Sequence, residues 1–100
     1  QLGLRVRYSW EPVILGSAGG PKQALSLWPG QAEPFLIVNG DTLTEFALEP
    51  LRAAHAAARA DGALVTMAVV RNTRPNHYNG LRLDAEGRVL AFVPKGHTEE

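Results

Sequence analysis

The sequence contains no cysteine, and this absence excludes a disulfide scaffold, a thiolate zinc site and a cysteine nucleophile. It has no excess of either charge, since 10 Lys and Arg residues balance 10 Asp and Glu residues. A neutral chain is not expected to hold nucleic acid or an anionic membrane by bulk electrostatics. No apolar run approaches the roughly 20 residues that span a bilayer. We therefore predict no nucleic-acid partner and no membrane partner.

What is present is the composition of an ordinary folded protein. Hydrophobic residues make up 45% of the 100 positions, and that length suffices for one small domain. The chain starts with Gln1 rather than Met, and its first ten residues alternate instead of forming the apolar core of a signal sequence. We expect the chain to begin partway into a larger protein.

Strand and helix patterns alternate along the chain. The predicted order before a final hairpin is strand 2–10, helix 21–28, strand 35–38, an alanine-rich helix ending at Asp61-Gly62, and strand 63–70. The runs 35–38 and 63–70 are continuously apolar or β-branched, as is typical of strands buried on both faces. The hairpin turns around residues 84–87. This alternation predicts an α/β layered fold with a mostly parallel sheet and an antiparallel hairpin.

A glycine-rich loop, Leu15-Gly16-Ser17-Ala18-Gly19-Gly20, leads into the first predicted helix. Free backbone N–H groups at a helix N-terminus suit an anion or the edge of a nucleobase. The loop lacks both the GKS/T of a Walker motif and the G-x-G-x-x-G spacing of a dinucleotide site. A turn that merely needs positive φ is the alternative interpretation.

The polar run Asn39-Gly40-Asp41 follows strand 35–38 directly, at the carboxyl end where ligands bind in open α/β sheets. A carboxylate beside a residue without a side chain suits Mg²⁺ that carries phosphates. The alternative is that Asp41 caps the following helix, with Thr42 and Thr44 as competing caps.

Lys95 and His55 each have a functional and a structural interpretation. Lys95 leaves the last strand and either pairs with a phosphate as a point charge or is an ordinary solvated lysine. His55 lies on the apolar side of the alanine-rich helix, and we interpret it as a packed or hydrogen-bonded histidine. Ser17 lacks the G-x-S-x-G elbow of a hydrolase nucleophile.

The order and spacing of these motifs resemble the nucleotidyltransferases that make nucleoside-diphosphate sugars from a sugar 1-phosphate and an NTP, mannose-1-phosphate guanylyltransferases among them. The resemblance covers nearly the whole chain. The matching parts are Glu11 with residues 15–20, residues 35–41, the helix bearing His55, strand 63–70, Tyr78-Asn79-Gly80, residues 84–89 and residues 92–95. It implies a Rossmann-like (GT-A-like) nucleotidyltransferase fold.

The resemblance also implies a role for each motif. The residues that would contact the nucleotide are Gly16, Ser17, Ala18, Gly19, Asn39 and Gly40. Asp41 would bind Mg²⁺, Gly80 would let the sugar approach the backbone, and Lys95 would face the sugar phosphate, so Asp41 and Lys95 would be the catalytic pair. A sugar-phosphate oxygen would attack the α-phosphorus of GTP, UTP or dTTP and release pyrophosphate. Such a transfer needs positioning and charge neutralisation rather than a protein nucleophile.

The sequence departs from the family pattern at two positions. Asn79 separates a Tyr and a Gly that the family often has adjacent, and Pro94 stands where the family has Glu before Lys95. The Pro94 departure puts the sugar specificity in question. It also supports the alternative that the chain is a non-catalytic module that binds a sugar nucleotide or regulates a partner. A metal-dependent glycosyltransferase is disfavoured. Such enzymes usually show Asp-x-Asp at the metal-binding strand, whereas here Asp41 is followed by Thr42-Leu43.

The resemblance also implies how much of the catalytic domain residues 1–100 cover. It places the triphosphate-gripping loop before Gln1 and the second metal-binding Asp after Glu100. We therefore expect residues 1–100 to be an internal part of one catalytic domain, inactive alone. The neutral, cysteine-free composition fits a cytoplasmic α/β enzyme. The sequence leaves open whether the protein forms a homo-oligomer.

Overall fold

A computed structural model describes residues 3–28, 30, 33–42 and 45–97. Their regular elements are helix α1 (Gly16–Ala24), a 3₁₀ helix (Leu25–Leu27), helix α2 (Leu48–Ala60), strand β1 (Gly80–Leu83) and strand β2 (Val89–Val93). The two strands form one antiparallel sheet, and no parallel sheet is present in these ranges. The chain divides into two compact units, Gln1–Leu43 and Thr44–Glu100.

In the first unit, the segment before α1 is bonded to the helix rather than to another strand. Arg7 Nη1 donates to the backbone oxygen of Leu27 at 2.8 Å, and Gln23 Nε2 donates to that of Trp10 at 2.7 Å. The earlier residue of the segment meets the later part of the helix, so the two run antiparallel. This segment was predicted as strand 2–10, and its described residues are not in a strand.

Helix α1 begins five residues earlier than the sequence predicts. Its first residue is Gly16, so the glycine-rich sequence forms the first turns of the helix and is not a loop before it. Pro21 therefore lies inside the helix, not in its first turn. The Glu11 carboxylate accepts the N–H of Leu15, the residue that precedes the helix, at 3.0 Å. A carboxylate at this end also interacts favourably with the helix dipole, which helps the helix to start here.

The two apolar runs predicted as buried strands, 35–38 and 63–70, are not in strands. Most of their side chains are exposed, Ile37 to 61% and Val65 to 75%, while Ala63 and Thr66 are half-buried. A strand buried on both faces depends on neighbouring strands and on a covering layer for each face. No strand pairs with these runs among the described residues, because the only sheet there is the hairpin.

In the second unit, α2 ends where the sequence predicts. Gly62 has φ +90°, and its N–H donates to the oxygen of Arg59 at 3.0 Å. The N–H of Ala63 donates to the oxygen of Ala58 at 3.0 Å, which completes a Schellman motif. The predicted hydrogen-bonded interpretation of His55 is confirmed, since its Nδ1 lies 2.9 Å from Thr66 Oγ1. Neither described α-helix has the length and hydrophobicity that a membrane span requires.

The predicted hairpin is confirmed, with its turn at the expected place. Gly80 pairs with Val93, and the register shifts between Arg82 and Leu83. Asp84 closes the turn, because its Oδ1 accepts the N–H groups of Glu86 at 3.0 Å and Arg88 at 2.8 Å.

Replacing Asp84 with Ala is expected to destabilise the whole protein by about 1–2 kcal/mol, because two backbone N–H groups lose their acceptor. Asp84→Asn keeps an oxygen in place and should cost less than half as much. Urea unfolding followed by circular dichroism measures both. Equal stability of Asp84→Ala and the wild type would contradict this role for the carboxylate.

Candidate functional site

Three positions at the start of α1 favour glycine, each for its own structural reason. Gly16 has φ +82°, a conformation that favours glycine. A Cβ on Gly19 would lie 2.7 Å from the Cβ of Leu15, so that position requires glycine for close approach. Gly20 is buried, and a Cβ there would run into Glu11 Oε1. The interpretation as a turn that needs positive φ therefore holds at Gly16 alone.

Glu11 links the two sides of this turn. One carboxylate oxygen accepts the N–H of Leu15, while the other occupies the space beside Gly20 that a Cβ would need. The carboxylate can approach so closely because Gly20 has no side chain. The result is a helix start with little side-chain bulk, in which Gly16, Ser17 and Ala18 are exposed. Such a turn can meet a planar or anionic ligand with its backbone.

Replacing Gly16 with Ala is expected to destabilise the protein by about 1–2 kcal/mol, since an L side chain at φ +82° is strained. Ser17→Ala is the matched control, because Ser17 is the next residue of the same helix and has no positive φ. Urea midpoints of the two variants give the comparison. A Gly16→Ala protein as stable as the Ser17→Ala protein would contradict the strain argument.

Asp41 lies in a turn, exposed to solvent. The N–H of Thr42 donates to the oxygen of Asn39 at 3.4 Å, and the Thr42 hydroxyl donates to Asp41 Oδ1 at 3.4 Å. Gly40 has nothing within 4 Å of where a Cβ would be, so the turn is open at this point.

The alternative role of Asp41 as a helix cap is not supported. The following helix, α2, begins at Leu48, and its N-cap residue is Ala47, which makes no side-chain cap bond. Thr42 is likewise not the cap, and Thr44 lies outside the described residues. Asp41 therefore has no helix-capping function that would account for a carboxylate directly after the Asn-Gly pair.

The structure brings Gly80 and Lys95 together at one end of the hairpin. Gly80 is paired with Val93, two residues before Lys95. The N–H of Lys95 donates to Asn79 Oδ1 at 3.0 Å. A Cβ on Gly80 would lie 3.4 Å from Asn72 Nδ2, so the glycine permits close approach of the Asn72 side chain. The Lys95 side chain itself is exposed.

Two asparagines at this end of the hairpin have structural roles that sequence reasoning did not assign. Asn72 Nδ2 donates to the oxygen of Tyr78 at 3.2 Å, and Asn72 Oδ1 accepts the N–H of Arg74 at 3.1 Å. The second of these is an Asx turn, for which Asn two residues before the donor is the sequence signal. Asn79 stood out only as an inserted residue, and no local pattern predicts a partner 16 residues away.

The candidate residues thus form three local groups. In the first unit they are the start of α1 (Gly16, Ser17, Ala18, Gly19) and the turn of Asn39, Gly40 and Asp41. In the second unit they are Gly80 and Lys95. Each group contains at least one glycine, so its side chains take up little space. The second and third groups each add one exposed charged side chain, Asp41 and Lys95 respectively.

The chain belongs to the nucleotidyl transferase family, whose family model matches residues 1–100. Membership implies an α/β fold, in agreement with the helices and the sheet described above. The sequence resemblance to nucleotidyltransferases is confirmed by this match.

Its relatives include proteins from animals, an amoeba and a plant. It is 32% identical over 96 residues to "Mannose-1-phosphate guanyltransferase beta-B" of Xenopus laevis, covering 95% of this chain and 26% of the relative. It is 33% identical over 96 residues to "Mannose-1-phosphate guanylyltransferase catalytic subunit beta" of Dictyostelium discoideum, with the same coverage. For "Probable mannose-1-phosphate guanylyltransferase 2" of Arabidopsis thaliana, the identity is 32%, over 94% of this chain and 26% of the relative. The chain therefore spans about a quarter of the length of these relatives. No solved structure matches it significantly.

Proposed function

We propose that the whole protein is a sugar-1-phosphate nucleotidyltransferase. It transfers a nucleoside monophosphate from an NTP to a sugar 1-phosphate, and the products are a nucleoside-diphosphate sugar and pyrophosphate. The observation that carries the proposal is the family match over residues 1–100, which includes every candidate site residue. The names of the relatives make GTP and mannose 1-phosphate the first substrates to test, with UTP and dTTP as the other donors.

In this proposal Asp41 holds Mg²⁺. The donor set fits, because Mg²⁺ takes one or two carboxylates and fills its other positions with water and phosphate oxygens. Asp41 is exposed, and its described partner is the hydroxyl of the adjacent Thr42, so the carboxylate is available to a ligand. The described residues contain no cluster of three or more His, Asp and Glu. When bound, Mg²⁺ supplies neutralisation of the developing phosphate charge.

The other groups position the substrates. The backbone at Gly16, Ser17, Ala18 and Gly19 approaches the nucleotide base and ribose, and Asn39 and Gly40 line the same ligand. Gly80 lets the sugar approach its backbone, and the exposed Lys95 ammonium pairs with the sugar phosphate. A phosphate oxygen of the sugar 1-phosphate attacks the α-phosphorus, a P–O bond forms, and the bond to the pyrophosphate oxygen breaks. No protein nucleophile is needed, since in-line transfer depends on orientation and charge neutralisation.

We also propose that residues 1–100 contribute to one catalytic domain of GT-A-like architecture. That architecture has a mostly parallel sheet, and the runs 35–38 and 63–70 are the candidates for its strands. The support is their composition, since continuous apolar and β-branched runs suit strands covered on both faces. The polar turn at Asn39-Gly40-Asp41 is then at a carboxyl edge of that sheet, where ligands bind in open α/β folds.

The test is product formation by the whole protein. Purified protein is incubated with Mg²⁺, one NTP (GTP, UTP or dTTP) and one sugar 1-phosphate (mannose or glucose), and the nucleoside-diphosphate sugar is quantified by mass spectrometry. We expect one pair to react well above the others. Tight binding of a nucleoside-diphosphate sugar without turnover of any pair would instead favour the non-catalytic module.

A further inference from the structure

We propose that Asn79 is a positioning residue for Lys95, and that it sets the sugar-phosphate affinity of the site. This inference rests on the proposed function, in which the Lys95 ammonium meets the sugar phosphate. The contact that carries it is the hydrogen bond from the Lys95 N–H to Asn79 Oδ1, at 3.0 Å. It joins residues 16 positions apart, one before β1 and one after β2.

The bond lies just beyond the end of the strand ladder. The last backbone pair at this end is Gly80 with Val93, so Lys95 has left the sheet by two residues. Its backbone would lack a ladder partner there, and the Asn79 side chain supplies one. A lysine carries its charge on a flexible four-carbon stem, so the ammonium is positioned only as well as the backbone from which it starts.

A second loop is bonded to the same end of the hairpin. The N–H of Gly96 donates to the oxygen of Pro75 at 2.8 Å, directly after Lys95. Asn72 then ties this loop to Tyr78, the residue before Asn79, through a bond of 3.2 Å. The backbone on both sides of Lys95 is therefore held by residues of the 72–79 segment.

The charges of these two loops are of one sign. Residues 71–78 and 94–97 contain no Asp or Glu, and their basic residues are Arg71, Arg74, His77, Lys95 and His97. An anionic group such as a phosphate is therefore attracted to these residues, and the nearest carboxylates along the chain after Lys95 are those of Glu99 and Glu100. The tie between Asn79 and Lys95 holds the two loops in register around that ligand.

The position of Asn79 in the sequence fits this role. It separates Tyr78 from Gly80, which is the departure noted from the family pattern. An adjacent Tyr-Gly pair would have no side-chain amide oxygen at this point. The inserted residue is thus the one that supplies the acceptor for Lys95.

The test compares kinetic constants of the whole protein with the NTP and sugar 1-phosphate that react in the assay above. Asn79→Ala is expected to raise the KM for the sugar 1-phosphate about tenfold and to leave the KM for the NTP within about twofold. In a Lys95→Ala background the same substitution should add less than about twofold, because Asn79 acts through Lys95. Asp84→Ala is the matched control, since it removes a side-chain acceptor of two backbone N–H groups in the same hairpin. It should not change the ratio of the two KM values.

The inference is overturned if Asn79→Ala and Asp84→Ala change that ratio equally, or if Asn79→Ala and Lys95→Ala act additively. Should Asn79→Ala fail to fold, Asn79→Ser replaces it, with a smaller increase expected in the same KM. Failure of the proposed function looks different, because the wild-type protein would then turn over none of the substrate pairs.

Discussion

Replacing Asp41 with Asn is expected to lower the kcat of nucleotidyl transfer by roughly 10²–10³-fold, by analogy with the loss of one group that stabilises transition-state charge in acyl transfer. The physical reason is that an amide oxygen is a poor ligand for Mg²⁺, so the negative charge on the α-phosphate is no longer neutralised. The substitution is nearly isosteric, and Asp41 is exposed, so stability should change by less than about 0.5 kcal/mol. Initial rates at saturating substrate, measured across a Mg²⁺ titration, give the comparison.

Asp61→Asn is the matched control for this substitution. Asp61 is also an exposed Asp directly beside a glycine, and it is its backbone N–H that donates to the oxygen of Ala58 at the end of α2. It should keep the wild-type kcat and Mg²⁺ dependence. If Asp41→Asn keeps more than half of the wild-type kcat at every Mg²⁺ concentration, Asp41 is not the metal ligand.

Replacing Lys95 with Ala is expected to raise the KM for the sugar 1-phosphate by roughly 10–100-fold, the range for losing one hydrogen bond to a charged group. The NTP should bind almost as before, because in the proposed function Lys95 faces the sugar phosphate and not the nucleotide. Lys95→Arg keeps the positive charge but places it on a planar guanidinium group. Its KM for the sugar 1-phosphate should therefore lie between those of the wild type and Lys95→Ala. Both KM values come from initial rates with one substrate varied and the other saturating.

Arg52→Ala serves as the control for loss of an exposed cation. Arg52 lies on α2, 70% exposed, in an ion pair of 3.4 Å with Glu49. Such surface pairs contribute little, so both KM values should stay within about twofold of wild type. An equal rise of both KM values in Lys95→Ala would contradict a specific role toward the sugar phosphate.

The parts of the fold that sequence predicts correctly are those governed by neighbouring residues. Helix α2 is terminated by Gly62 in a left-handed conformation, and the hairpin is closed by Asp84 with glycine at position 87, φ +84°. These structures depend on contacts within four or five residues, so the local sequence is enough to predict them. The hydrogen-bonded state of His55 was predicted in the same way, although its partner Thr66 was not.

The parts that sequence predicts poorly depend on distant partners. The runs 35–38 and 63–70 have strand composition, yet a strand forms only where another strand pairs with it. The start of α1 was placed too late because Glu11, which accepts the Leu15 N–H and packs on Gly20, lies outside the glycine-rich motif. Pro21 was therefore mistaken for a residue of the first turn.

For the candidate site, the sequence identifies residue types but not the contacts that hold them. Asp41 and Lys95 stand out as single charges beside glycines and strand ends. The bond from Lys95 to Asn79 appears only in three dimensions, since the two residues lie on opposite sides of the hairpin. Roles that depend on such contacts require the structure.

In the proposed reaction a phosphate oxygen of the sugar 1-phosphate attacks the α-phosphorus of the NTP, and pyrophosphate is released. Phosphorus NMR of the whole protein with Mg²⁺, GTP and mannose 1-phosphate, and then with the other substrate pairs, tests it most directly. We expect the diphosphate signals of the nucleoside-diphosphate sugar and the signal of pyrophosphate to grow one for one, and both to grow at least about 100-fold more slowly with Asp41→Asn. Release of inorganic phosphate or of nucleoside monophosphate, with the sugar 1-phosphate signal unchanged for every pair, would contradict it.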